Sequence, residues 1–286
     1  MTAFLLFFFQ GLRISAPYVL TALGGVVGER AGVVQLGLEG MLLGGAFAAT
    51  VGAEHAGVVG GLAAGALGGA ALAAVYAFAA LRARADQVIA GVALNLLAVG
   101  LTRYLLKLVY HSASNSPRVV GLDTSRETGA FLAAIVVGAV ALDVWMRRTP
   151  GGLRVRAVGE HPDAADSLGV SVLRVRAAAV LTTGLLAGLG GAWLALDNHG
   201  FVDGMSGGRG YIALSAVIFG RWSPLGAAGA CLLFGFADAL SLRLQTAQGF
   251  PRELVQILPY VLTIVAVAGM VGRSRAPRAL GVRWPA

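Results

Sequence analysis

The chain has 286 residues, 57% of them hydrophobic and only 13% charged, with a mean hydropathy of +0.77. A soluble domain carries about a quarter charged residues, and long apolar stretches recur here from one end to the other. A soluble enzyme, a disordered chain and a secreted disulfide scaffold are therefore excluded. The formal charge of +8 would suit a nucleic-acid binder, but arginines lying in loops between apolar spans report orientation instead. The expectation is an all-α, polytopic integral membrane protein. Its 42 glycines, well above the usual ~7%, point to closely packed helices. One cysteine, Cys231, sits in the apolar run Ala230 to Phe234, which excludes a disulfide framework and a cysteine-based metal site.

The first candidate span, Ala3–Val27, contains Arg13 and Pro17. Proline disfavours helix at the residue before it, so a kinked or two-part first helix is expected. No Lys or Arg precedes Arg13, which argues against a cleavable signal peptide with its basic n-region and fits an outside N-terminus. Glu29 and Arg30, between Gly28 and Gly32, read as a tight cytoplasmic turn. Val33–Gly52, Val58–Leu81, Val88–Val109 and Ala130–Met146 follow as spans. The longest polar loop, 147–176, carries Arg147, Arg148, Arg154, Arg156, Arg174 and Arg176 and belongs in the cytoplasm. Beyond it come Ala177–Leu196, Leu225–Leu244 and Leu254–Val271, then a basic tail, 273–286, also cytoplasmic. Tyr211–Gly220 is too short to cross alone at ~1.5 Å per residue. Counting it gives about nine transmembrane segments, short and broken helices included, within one membrane domain, 1–272.

Gly32–Gly45 (GVVQLGLEGMLLGG) and Gly208–Gly226 (GRGYIALSAVIFGRWSPLG) are both glycine-punctuated and interrupted by polar residues, one in each half of the chain. Such pairs point to a transport site built from broken helices. No GxxxxGK[ST] loop, HExxH or Cys/His cluster occurs, and His55, His111, His161 and His199 are scattered over predicted loops. ATP hydrolysis is thus not expected of this chain, nor is a cofactor or metal. Gly208-x-Gly210-x-x-Ala213 matches a loose dinucleotide fingerprint but lacks the strand before it that the motif needs.

Glu39 lies in an apolar run with Gln35 one turn earlier on the same face. A carboxylate at membrane depth needs a cavity or a partner. Either Glu39 borders a translocation path, or it bonds a helix end or Arg30. Asn95, in the otherwise apolar GVALNLLAVG, bonds across helices or lines the path. Asp238 is expected to pair with Arg243 or Arg209. The spacings Gly61/Gly65/Gly69 and Gly184/Gly188 are small-residue faces for close helix approach. In the loop, Pro162–Leu168 has proline at an early helical position and Asp163 in the first turn, with Gly169 as the stop. That predicts a two-turn helix parallel to the membrane, with Ala164, Ala165 and Leu168 as a small apolar face. So short a helix is unstable alone and needs a partner.

GERAGVVQLGLEGMLLGGAFAA (28–49), ADQVIAGVALNLLAVGLTRYLL (85–106), GLRVRAVGEHPDAADSLGV (152–170) and GRGYIALSAVIFGRWSPLGAAGACLLFGFADALSLRLQ (208–245) together resemble the membrane permeases of bacterial ABC importers, the branched-chain amino acid/ribose group. The resemblance runs from Gly11 to Val271 and is greatest to the shorter of the two paired permeases in nucleoside importers. It implies alternating access in the bacterial inner membrane, driven by a separate cytoplasmic ATP-binding subunit. It further implies a second, longer homologous permease as heterodimer partner, a lipid-anchored extracytoplasmic binding protein, and a nucleoside substrate. The 159–169 stretch resembles the family's coupling helix, so Glu160, Asp163, Ala164, Ala165, Leu168 and Gly169 would meet the ATPase, and Gln35, Glu39 and Asn95 would line the path. A ribose permease, the nearest alternative, would carry a GGIDLS-type run in place of Val33–Gly40. A stand-alone secondary transporter would need no docking helix, and a membrane enzyme would need a nucleophile/base pair or metal cluster that is not evident here.

Overall fold

A computed structural model of the chain describes residues 2–122, 125–246 and 275–284. Its helices are α1 (Thr2–Arg30), α2 (Leu38–Ala77, prolonged by a π-helical turn, Phe78–Arg82), α3 (Gln87–Tyr110), α4 (Ser125–Arg148), α5 (Pro150–Glu160), α6 (Pro162–Ser167), α7 (Val172–Asp197), α8 (Arg209–Phe219) and α9 (Pro224–Thr246). Among the described residues there is no strand, only an isolated bridge between Asn115 and Val202. Among the described residues six helices are long and apolar enough to cross a membrane. The fold is all-α and polytopic, as the composition requires. The expected span Leu254–Val271 lies outside the described residues.

α2 with its π-turn runs 45 residues, about 68 Å if straight, over twice the ~30 Å of a hydrocarbon core. It folds back on itself at Ala56 (φ −136°, ψ 23°) and Gly57 (φ 62°, ψ −159°). Gly57 permits the left-handed step there. Below the reversal Gly52 faces Ala64 and Gly60, and Gly44 faces Leu72, so the arms are antiparallel and nearly touching. The spans expected at Val33–Gly52 and Val58–Leu81 are these two arms.

The small-residue faces meet as expected. A Cβ on Gly69 would overlap the Gly184 carbonyl oxygen, and one on Gly188 the Gly65 carbonyl oxygen. Backbone contact between α2 and α7 replaces the side-chain interdigitation of a soluble bundle. α7 also packs on α1 and buries Trp193 in its last two turns.

The first helix departs from expectation. α1 continues unbroken through Pro17. Proline removes the hydrogen bond that the carbonyl four residues earlier would accept, which leaves the Arg13 oxygen without its helical partner. Trp193 Nε1 donates to that oxygen at 3.1 Å. An indole from α7 thus satisfies what the proline orphaned, and the helix need not divide.

One end of the bundle carries the Arg13–Asp197 ion pair and the loop at 111–122, bonded to 196–203 through Ser116 N to Phe201 O and Val119 N to His199 O. The other end gathers Arg30, Trp222, α5, α6 and the segment 275–284.

Candidate translocation and docking sites

Between α1 and α2 the backbone of 31–37 is irregular and mostly buried, so its polar groups must be satisfied by protein. Val33 N donates to Gly28 O, and Val34 N to Gln87 Oε1 at 2.9 Å. The Tyr76 hydroxyl donates to Val34 O. Gln35 N points to Glu29 Oε1 at 3.4 Å, and Asn95 Nδ2 donates to Leu36 O at 2.8 Å. The partners are Gly28 and Glu29 of α1, Tyr76 of α2, and Gln87 and Asn95 of α3, so the turn is held by three helices together.

Glu39, in the first turn of α2, reaches the start of α8. Its Oε1 accepts from Gly208 N at 2.8 Å and its Oε2 from Gly210 N at 2.6 Å. A carboxylate on a helix N-terminus answers both the orphan amides and the positive end of the dipole. Asn95 does the same for α2, its Oδ1 accepting from Gly40 N at 2.8 Å. Asn95 Nδ2 also donates to the Tyr211 hydroxyl at 2.8 Å, which ties α3 to α8. Two helix N-termini, one from each half of the chain, therefore meet and cap through Glu39 and Asn95. Asn95 lies eight residues past Gln87, about 12 Å along α3. Tyr211, 44% exposed, opens beside the junction.

The bonding of Glu39 is that of a helix cap, one of the two roles open to it from sequence. Gln35 stands apart from the junction. It is fully buried, its Nε2 donates to Val33 O at 3.2 Å, and its Oε1 has no hydrogen-bond partner among the described residues. Among the described residues Asp238 accepts a hydrogen bond from the Tyr18 hydroxyl and none from Arg209 or Arg243. Arg209 instead donates to Met205 O and Ser206 O, and Arg243 lies over the Phe7 ring. Glu29, read from sequence as part of a turn, closes α1 as a buried acceptor for Trp222 Nε1. The neighbouring Arg30 donates to Trp222 O at 2.6 Å. Nothing in the local pattern around Trp222 signals that contact.

The loop 147–176 is mostly helical. Thr149 caps α5, its hydroxyl accepting from Gly152 N at 3.2 Å, with Pro150 in the first turn. The six residues of α6 follow, and Leu168 and Gly169 (φ 80°) end it where expected. The apolar face is divided. Ala165 is buried against Val158 and Val172 of its own chain, with Trp284 alongside. Ala164 is exposed, and Leu168 is 83% exposed. Asp163 is exposed too, whereas Glu160 lies 4.0 Å from Arg30 in an ion pair. The outward surface of α6 is thus Asp163, Ala164 and Leu168, not Ala165.

Residues 7–267 match the family model described as "Branched-chain amino acid transport system / permease component". The chain is 40% identical to the guanosine ABC transporter permease protein NupQ of Bacillus subtilis, over 96% of this chain and 94% of that one. It is 36% identical to the nucleoside ABC transporter permease protein NupC of Lactococcus lactis, with the same coverage. A solved ABC transporter in an inward-facing conformation shares the fold with a TM-score of 0.53, at 16% identity, over 92% of this chain and 84% of that one.

Proposed function

Since the chain belongs to the family of branched-chain amino acid transport system permease components, we propose that it is the membrane permease subunit of an ATP-driven importer carrying nucleosides inward by alternating access. Two of its relatives, at 40% and 36% identity over nearly their whole lengths, are named for guanosine and nucleosides, which supports the nucleoside reading. Its partners are a cytoplasmic ATP-binding subunit, a second and longer homologous permease, and an extracytoplasmic lipid-anchored binding protein. The permease domain is 1–272, the docking loop is 147–176, and the tail is 273–286. The N-terminus lies outside and the loop and tail lie in the cytoplasm, a reading supported by the arginines of 147–176 and by the segment 275–284 packing at the same end as α5 and α6.

One observation carries the ATPase coupling. A six-residue helix too short to stand alone presents an almost fully exposed leucine, Leu168, between Asp163, Asp166 and Gly169. A groove on the ATPase covers Leu168 and supplies donors to Asp163. The path role is assigned to the α2–α3–α8 junction, with Glu39 and Asn95 holding the two half-helix ends and Gln35 supporting the turn behind them. The test is the Leu168→Glu permease, produced with the neighbouring subunits and reconstituted in vesicles. The ATPase should no longer co-purify and guanosine uptake should stop. Normal stoichiometry and uptake would overturn the docking assignment, and uptake of ribose but not guanosine by the wild-type complex would overturn the substrate.

A further inference from the structure

Arg176, in the second turn of α7, is 1% exposed, yet every hydrogen bond it makes among the described residues ends on a backbone carbonyl. Its Nε donates to Ala31 O at 3.2 Å, its Nη1 to Val282 O at 2.7 Å and its Nη2 to Ala279 O at 3.4 Å. A guanidinium offers five donors in a fixed fork, and this one joins three segments far apart in sequence. Ala31 follows the last residue of α1, where the helix dipole leaves partial negative charge. The arginine is thus seated on the cytoplasmic-end turn of α1 and grips 279–282 with its other arm.

The same terminal segment is bonded independently of Arg176. Ala279 N donates to Gly159 O at 2.9 Å, Gly281 N to Gly32 O at 3.1 Å, and Arg278 N to Glu160 Oε2 at 3.4 Å. Gly159 presses α5 onto α1 so closely that a Cβ there would overlap the Arg30 carbonyl oxygen. Trp284 completes the contact by packing on the cluster of Val158, Ala165 and Val172 that forms the inner side of α6. A six-residue helix has little stability of its own, so what anchors α6 to the bundle is this small cluster and the tail that covers it.

We propose that residues 277–284 form a strap that positions the docking helix, with Arg176 as its latch and Trp284 as its wedge. This rests on the reading of α6 as the ATPase-docking element. Displacement of α6 is carried through Trp284 and the strap backbone to Gly32 and Ala31, and from there to the turn that leads into Glu39. Arg176 and Trp284 are positioning residues: they touch neither substrate nor, in this reading, the ATPase.

The test uses the reconstituted full complex and three permeases: Trp284→Ala, Arg176→Lys, and a chain lacking 275–286. ATP hydrolysed per guanosine transported is measured in each, with amide exchange over 162–170 as a second readout. In the variants that assemble, the ratio should rise about fivefold and exchange about tenfold, with the ATPase still bound. If Trp284→Ala and Arg176→Lys both keep the wild-type ratio and exchange, the strap has no positioning role, whether or not the truncated chain assembles. Leu168→Glu separates the two readings. Should it retain ATPase and coupling, the docking assignment fails; should it lose them while the strap variants behave as wild type, the strap alone fails.

Discussion

Replacing Glu39 by glutamine alters charge and bonding at the junction with little change of shape. The carboxylate accepts two backbone N–H groups, from Gly208 and Gly210, and bonds to a charged group contribute about 1.5–3 kcal/mol each. A glutamine amide keeps one oxygen and turns an NH2 toward the other N–H. One bond becomes a neutral one, worth about 1 kcal/mol, and the second is replaced by two donors face to face. The favourable charge at the α8 N-terminus is lost as well, at about 0.5 kcal/mol. The sum is a destabilisation of about 2.5–5.5 kcal/mol, concentrated at the α2–α8 contact. For a chain of 286 residues, at about 1.7 °C per kcal/mol, that corresponds to a fall in unfolding temperature of about 4–9 °C, readable by thermal unfolding of the purified permease in detergent. Guanosine uptake by the reconstituted complex should fall with it, because the half-helix ends are no longer held together. An unfolding temperature and an uptake rate both equal to wild type would refute the capping argument and, with it, the assignment of the junction.

The glycine stripes give a paired test: Gly69→Ala, whose Cβ would overlap the Gly184 carbonyl, should prevent stable assembly, while Gly100→Ala, with open space around it, should be neutral or stabilising by up to about 1 kcal/mol. Trp193→Phe should cost about 1–3 kcal/mol by orphaning the Arg13 carbonyl, and Trp193→Phe with Pro17→Ala should regain much of it; equal unfolding temperatures for the single and double variants would count against the Pro17 explanation. In a Cys231→Ala background, Ser112→Cys or Ser114→Cys should react with an impermeant thiol reagent from outside and Arg275→Cys only after permeabilisation. Labelling of Arg275→Cys in sealed cells would invert the assigned orientation.

The spans that fall within the described residues were legible in the sequence because a bilayer demands about 20 apolar residues in a row, a signal that tertiary context cannot hide. Tyr211–Gly220 was legible for the opposite reason: it is too short, and it is indeed the half-length helix α8. Glu39 and Asn95 stood out as polar residues in apolar runs, but their partners did not, since Glu39 meets amides 169 and 171 positions away. Pro17 misled because its compensation comes from Trp193, outside any local window. The helix α5 was missed because GGLRVRAVGE lacks an apolar period and carries two glycines in its first turn. The tail read only as a basic cytoplasmic run. Its docking depends on Arg176, 106 positions from Val282, and on backbone groups, which have no sequence signature at all.

The reversal at Ala56–Gly57 bears on how the chain enters the bilayer. With only two residues out of helical conformation between its arms, α2 has no loop that could wait on one side while the second arm is synthesised. Each arm alone would expose its glycine-lined backbone to lipid along the inner face where Gly44, Gly52, Gly60 and Gly68 now meet. Two arms joined so tightly are expected to partition together as one hairpin with Glu54 and His55 at its tip.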